Sequence, residues 1–208
     1  MRIGIIGPTG AGKSLLSQKL ADYYHYTLIE EPVAKSPFLP IFYNQKTEMC
    51  FIAQNAFYSD LFLLFYDQRN NPDVICDSTM LSNLVFCEIM RLEGMMTCRQ
   101  AALTYAIADN DMRHLPELDL TVVVERTNAQ LFANVYKRGR DIEQGQEDYL
   151  TFHNANYYPA LRRIFHHYHI GDEKVLWLPI RDMEDPEEFA SIIQRIEERV
   201  QSNQKAGK

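Results

Sequence analysis

Gly7-Pro8-Thr9-Gly10-Ala11-Gly12-Lys13-Ser14 lies between an apolar run, Met1 to Ile6, and a segment carrying Leu15, Leu16 and Leu20 at helical spacing. The pattern is G-x-x-x-x-G-K-[ST] between a strand and a helix, the setting in which such a loop binds phosphate. Glycines let successive backbone N–H groups approach phosphate oxygens, and the helix behind them adds the positive end of its dipole. Lys13 is placed to neutralise β- and γ-phosphates, and Ser14 to hold Mg²⁺ through its hydroxyl. Gly7, Pro8, Thr9, Gly10, Ala11, Gly12, Lys13 and Ser14 are therefore the expected nucleotide-binding residues. An ordinary glycine-rich turn leaves the Lys-Ser pair and the strand before it unexplained.

Around that loop, 208 residues suffice for one well-cored α/β domain, expected over 1–200, with a flexible polar tail over 201–208. A net charge of -7 excludes a general binder of nucleic acid polymer, which needs clustered positive charge, but leaves small phosphates as ligands. Cys50, Cys76, Cys87 and Cys98 form no C-x-x-C pair and no metal spacing, as expected of reduced, cytoplasmic protein. The chain enters its first strand without a signal core, and no stretch reaches transmembrane length, so no membrane role is expected.

After the first helix, Tyr26 to Glu30 is β-prone, and Glu31-Pro32-Val33 ends it because Pro32 has no N–H for a ladder. Glu31 is thereby presented at a strand's C-terminal end, the edge at which open α/β sheets bind ligands. Lys35 to Tyr43, broken by Pro37 and Pro40, reads as an ordered loop. Gln45 to Arg69 reads as a long helix with apolar residues on more than one side, which is buried or pairs with a second subunit. Asp73 to Asp77 is an apolar strand ending in an acid, placing Asp77 beside the loop to orient Mg²⁺, or alternatively to cap the next helix. Helices over Met80 to Gly94 and Cys98 to Asp111 and a strand over Leu118 to Val124 follow. Thr127 and Gln130 form a capping box for a helix ending in Lys137-Arg138-Gly139-Arg140. Those cations complement a helix dipole, or they belong to a lid over 137–146 that closes on a transferring phosphoryl group. A helix over Gln146 to His166, interrupted or kinked at Pro159, a strand over Lys174 to Leu178 and a helix from Asp185 to about Val200 complete the chain.

Five strands alternating with helices predict a parallel sheet covered on both faces. Moving a γ-phosphoryl group to a hydroxyl needs positive charge, Mg²⁺ and a carboxylate to take the proton. Lys13, Arg138 and Arg140 supply the charge, Ser14 and Asp77 the metal site, and Glu31 the base.

The loop, Glu31-Pro32-Val33, Gln54, the acid after the third strand and the Arg-x-Arg-x-x-Glu run of Arg138 to Glu143 together resemble the deoxyribonucleoside kinase family, including its bacterial deoxyadenosine and deoxyguanosine kinases. The resemblance covers nearly the whole chain. It implies a three-layer P-loop kinase fold with a short Arg-rich lid, ATP as donor with Mg²⁺, a deoxyribonucleoside as acceptor, and a homodimer built on long helices. It implies further that Glu31 deprotonates the 5′-hydroxyl, that Gln54 bonds the base edge, and that Tyr43 and Glu143 hold the 3′-hydroxyl, with Asp77 also on the substrate side. The chain departs from the family at Asp77-Ser78-Thr79, where an arginine usually follows the acid, and at Leu61 and Asn83, where purine-type relatives often carry Arg and Asp. Two alternatives remain at this level: a nucleoside monophosphate kinase or other small-molecule kinase on the same scaffold, and a nucleotide-binding regulatory protein that has lost transfer.

Overall fold

A computed structural model describes residues 1–206. In chain order the elements are β1 (Arg2–Ile6), α1 (Lys13–Tyr24), β2 (Thr27–Ile29), a 3-10 turn (Pro32–Lys35), α2 (Phe38–Asn44), α3 (Lys46–Asp67), β3 (Val74–Asp77), α4 (Met80–Leu92) and α5 (Cys98–Asp111). They continue with β4 (Leu120–Glu125), α6 (Asn128–Arg138), a 3-10 turn (Asp141–Glu143), α7 (Glu147–His167), β5 (Val175–Pro179) and α8 (Pro186–Ala206).

The five strands form one parallel sheet in the order β2-β3-β1-β4-β5. Because strand side chains alternate between faces, Ile3 and Ile5 of β1 enter the core under α1 and α8, while Ile6 enters the core under α3, α4 and α7. A third apolar cluster gathers residues of α2 to α7 beside the sheet, including Leu39, Phe57, Met90, Val135 and Tyr149. Since all strands point one way, their C-terminal ends share one edge, where the loop after β1, Glu31 after β2 and Asp77 ending β3 converge. β1 and β3 are in register at Ile5 and Asp77, so the acid stands laterally beside the start of the phosphate loop.

Several local expectations change. The stretch expected as a loop up to Tyr43 is a 3-10 turn followed by the helix α2. Pro37 is its N-cap and Pro40 lies in its first turn, positions whose N–H groups have no intrahelical partner to lose. α7 runs through Pro159 without interruption. The cap of α4 is Thr79, whose hydroxyl accepts from the Ser82 N–H at 3.2 Å, so Asp77 is free of that duty. A second capping box, Thr97 with Gln100, opens α5 beside the expected one at Thr127 and Gln130. α8 continues to Ala206, beyond its expected end near Val200. Of the expected tail, Gly207 and Lys208 lie outside the described residues.

Candidate functional site

The phosphate loop owes its shape to Gly10 and Gly12, at φ of 83° and 88°, a left-handed conformation that side-chain-bearing residues resist. A Cβ on Gly10 would stand 2.5 Å from the Leu131 carbonyl oxygen of α6. The Asn134 side chain, on the same helix, donates to the Gly10 carbonyl at 2.7 Å. Ala11 N–H donates to the Pro8 carbonyl at 3.1 Å, and the Lys13 ammonium lies across the loop, donating to that carbonyl at 3.3 Å. Gly10→Ala is expected to cost about 1–3 kcal/mol through backbone strain and the clash with α6, read as a fall of several degrees in thermal unfolding temperature.

Glu31 precedes Pro32, which opens the 3-10 turn and fixes the direction in which the chain leaves β2. Glu31 is half-buried and lines the cleft. Burial pushes it above the usual carboxylate range; Lys13 opposes this, Asp77 adds to it, and the Ser78 side chain and Arg140 oppose it again. Glu30 points away from the cleft and pairs on the surface with Lys35. Asp77 is buried, and its Oδ1 has no hydrogen-bond partner. Ser78, buried at φ 76°, turns the chain between the strand and the Thr79 cap, its N–H donating to Ile5 at 3.0 Å.

Gln54 is buried on α3, and its Nε2 donates to the Asn83 backbone carbonyl on α4 at 2.9 Å and to the Asn83 side-chain oxygen. At the other side Arg138 pairs with the buried carboxylate of Glu143, and Arg140 stands 3.7 Å from the same oxygen. The second Glu143 oxygen has no partner. Burial, with Glu143 beside it, pushes the Tyr43 phenol up to about 12, so at neutral pH it is a hydrogen-bond donor.

These residues line two adjoining cavities. One is lined by Thr9, Tyr43, Gln54, Ser78, Asn83 and Glu143 among apolar side chains. The other is lined by Gly10, Gly12, Ser14, Arg126, Asn134, Lys137 and Arg181. Lys13, Glu31, Arg138 and Arg140 line both. Gly7, Pro8 and Ala11 form the buried back of the loop, and Asp77 stands behind Ser78 instead of lining either cavity.

Sequence reasoning passed over Arg126, Asn134 and Arg181. Arg126 Nε donates to the Ala11 carbonyl at 3.4 Å and its NH1 to Arg181 O at 2.5 Å, tying the phosphate loop to the chain after β5. Both arginines follow strand ends, and the rule that singled out Glu31 would have found them had it been applied to β4 and β5.

A family model for deoxynucleoside kinase matches residues 3–201. The chain belongs to the deoxynucleoside kinase family. Members of that family are phosphotransferases acting on a nucleoside hydroxyl. A deoxyguanosine kinase of Dictyostelium discoideum is 29% identical over 143 residues, covering 66% of this kinase and 50% of that protein. A deoxyguanosine kinase of Lactobacillus johnsonii is 26% identical over 168 residues, covering 78% of this chain and 74% of its own. The chain thus spans half the length of the first of these relatives and about three-quarters of the second. A deoxyadenosine kinase from M. mycoides, solved with the products dCMP and a flexible dCDP, superposes with a TM-score of 0.79 at 21% identity, covering 95% of this kinase and 100% of that chain. Its structure with bound dCTP gives 0.78 at 20%. These two likenesses establish the P-loop kinase fold.

Proposed function

We propose that this kinase transfers the γ-phosphoryl group of ATP to the 5′-hydroxyl of a deoxyribonucleoside, giving ADP and the nucleoside 5′-monophosphate. The observation that carries the reading is the sharing of Lys13, Glu31, Arg138 and Arg140 by two cavities, since a transferring phosphoryl group sits where donor and acceptor sites meet.

In this reading the loop from Gly7 to Ser14 cradles the donor phosphates, with Lys13 bridging the β- and γ-oxygens. Glu31 takes the proton of the 5′-hydroxyl. Tyr43 and Glu143 hold the 3′-hydroxyl, the phenol as donor and the unpartnered carboxylate oxygen as acceptor. Arg138 and Arg140 turn from Glu143 toward the developing charge, and Gln54 meets the base. Ser14, exposed in the donor cavity, would hold Mg²⁺ through its hydroxyl, while Asp77, buried behind Ser78 with an orphaned Oδ1, would act on the ion's water; Mg²⁺ takes one or two protein oxygens and completes its shell with phosphate and water. Among the described residues no group of three or more His, Cys, Asp and Glu could hold a metal ion. An ion held there would supply charge neutralisation to the transferring phosphoryl group.

An acceptor already carrying a phosphate would need cations at the far end of its cavity. Of the residues lining that cavity, the cations are Lys13, Arg138 and Arg140, all at the phosphoryl end, which favours a nucleoside over its monophosphate. The deciding assay offers Mg-ATP with each of the four deoxynucleosides and their monophosphates. Phosphorylation of nucleosides alone is expected, whereas turnover of monophosphates alone, or of nothing, overturns the reading.

The raised Glu31 carboxyl gives a pH signature. A base must be ionised, and burial makes this one bind its proton at higher pH than an ordinary glutamate. The kcat/KM profile is therefore expected to fall with unit slope as pH drops through a value above the usual glutamate range near about 4.3, and a profile flat down to that range would contradict the assignment.

For assembly, the reading is a homodimer through long helices. It is supported by Ile52 and Leu63 on α3 and Leu103 and Ile107 on α5, large apolar side chains left exposed in the single chain. Four free thiols, three of them buried, support a reducing, cytoplasmic setting. No described helix is long and apolar enough to cross a membrane, and the net charge of -7 disfavours a nucleic acid polymer as partner.

A further inference from the structure

Gln54 reaches the acceptor cavity in one orientation only. Its Nε2 donates to a backbone carbonyl, that of Asn83, and a carbonyl can only accept, so turning the amide over would set two oxygens against each other. The second Nε2 hydrogen is taken by the Asn83 side-chain oxygen. Both residues line the cavity. What remains for a ligand is one acceptor, Gln54 Oε1, and one donor group, Asn83 Nδ2. Along the same helix faces, at i+3 and i+7, stand Phe57 and Leu61 on α3 and Phe86 and Met90 on α4, all apolar and all lining the same cavity. They offer no second acceptor.

Resting on the nucleoside-kinase reading, we infer that Asn83 is a specificity-determining residue: by fixing the Gln54 amide and presenting its own Nδ2, it makes the base end of the cavity select adenine over guanine. Adenine offers an exocyclic amino donor beside a ring-nitrogen acceptor, and the pair satisfies both. Guanine can set O6 against Nδ2 and its N1–H against Oε1, but its 2-amino group then enters an apolar wall with no partner. A buried donor left unpaired is penalised far more than a bond is rewarded. The neutral pair also lacks the charge with which a guanidinium or carboxylate would grip the guanine edge.

The test measures kcat/KM for deoxyadenosine, deoxyguanosine and deoxyinosine in the wild type and in Asn83→Asp. The wild type should prefer deoxyadenosine over deoxyguanosine by about ten- to a hundredfold, and deoxyinosine, which lacks only the 2-amino group of guanine, should recover most of that loss. An aspartate still accepts from Gln54 Nε2 but shows the base a second acceptor in place of a donor. Asn83→Asp should therefore shift preference toward deoxyguanosine by a similar factor. A wild type that prefers deoxyguanosine, or that treats deoxyinosine as poorly as deoxyguanosine, overturns the inference even if the variant does not fold, and leaves the kinase reading standing. An unchanged preference in a folded Asn83→Asp, with an unaltered KM for ATP, overturns it equally. Turnover of no nucleoside overturns the kinase reading itself.

Discussion

Glu31→Gln is expected to lower kcat by about two to four orders of magnitude, the usual worth of a positioned proton acceptor, while donor binding stays nearly unchanged. Glutamine keeps the length and shape of the side chain, so the turn set by Pro32 and the contact with Ser78 survive. What it cannot do is accept a proton from an alcohol. Donor affinity is held by groups elsewhere, the loop amides and Lys13, so the KM for ATP should move little. The measurement is steady-state kinetics with a saturating nucleoside, together with direct titration of the donor. Full retained activity would remove Glu31 from the chemistry and leave it as a structural carboxylate between two strand ends.

Lys13→Ala is expected to reduce kcat/KM by at least about two to three orders of magnitude, the scale of losing one preorganised charge at the transferring group, and by the same factor for every acceptor. The uniformity is the sharper half of the prediction, because Lys13 acts on the phosphates common to all of them. Lys13→Arg should fail to restore normal rates, since a planar fork does not occupy the place of a compact ammonium curled 3.3 Å from the Pro8 carbonyl. A linked effect carries a sign. Lys13 opposes the upward push that burial exerts on Glu31. Its removal moves the acid limb of the pH profile further up, so part of the lost rate returns on raising the pH. An Ala variant turning over normally would exclude the phosphate-loop mechanism.

The loop, the parallel sheet and Glu31 were legible because each depends on local sequence: glycines that permit positive φ, alternating apolar residues in β1, a proline that ends β2. Membership in the deoxynucleoside kinase family follows from the same residues and agrees with the match over 3–201. α2 was not legible, because Pro37 and Pro40 break helices in general and are harmless only at a helix's start. Pro159 misled in the same way: whether a proline ends a helix depends on its surroundings, here the core packing of Tyr157, Leu161 and Ile164 that holds α7 together across it. The Gln54–Asn83 pair lay beyond the sequence for a different reason, since two amides 29 positions apart become partners only when α3 and α4 pack. Arg126 was missed although its signal, a cation just past a strand end, was present.

The Asn134 bond to Gly10 has a mechanical meaning for the proposed lid. α6 is tied at its middle to the phosphate loop and ends at Arg138, so it acts as a strut braced on the donor site. Both left-handed glycines of this region, Gly139 and Gly145, lie beyond it. In the proposed reading, closure is confined to the short span between those two glycines, and Arg140 rides on that span. A lid so built would deliver its charge as a short arm on a fixed post, its reach set by the distance from that post to the loop it is bonded to.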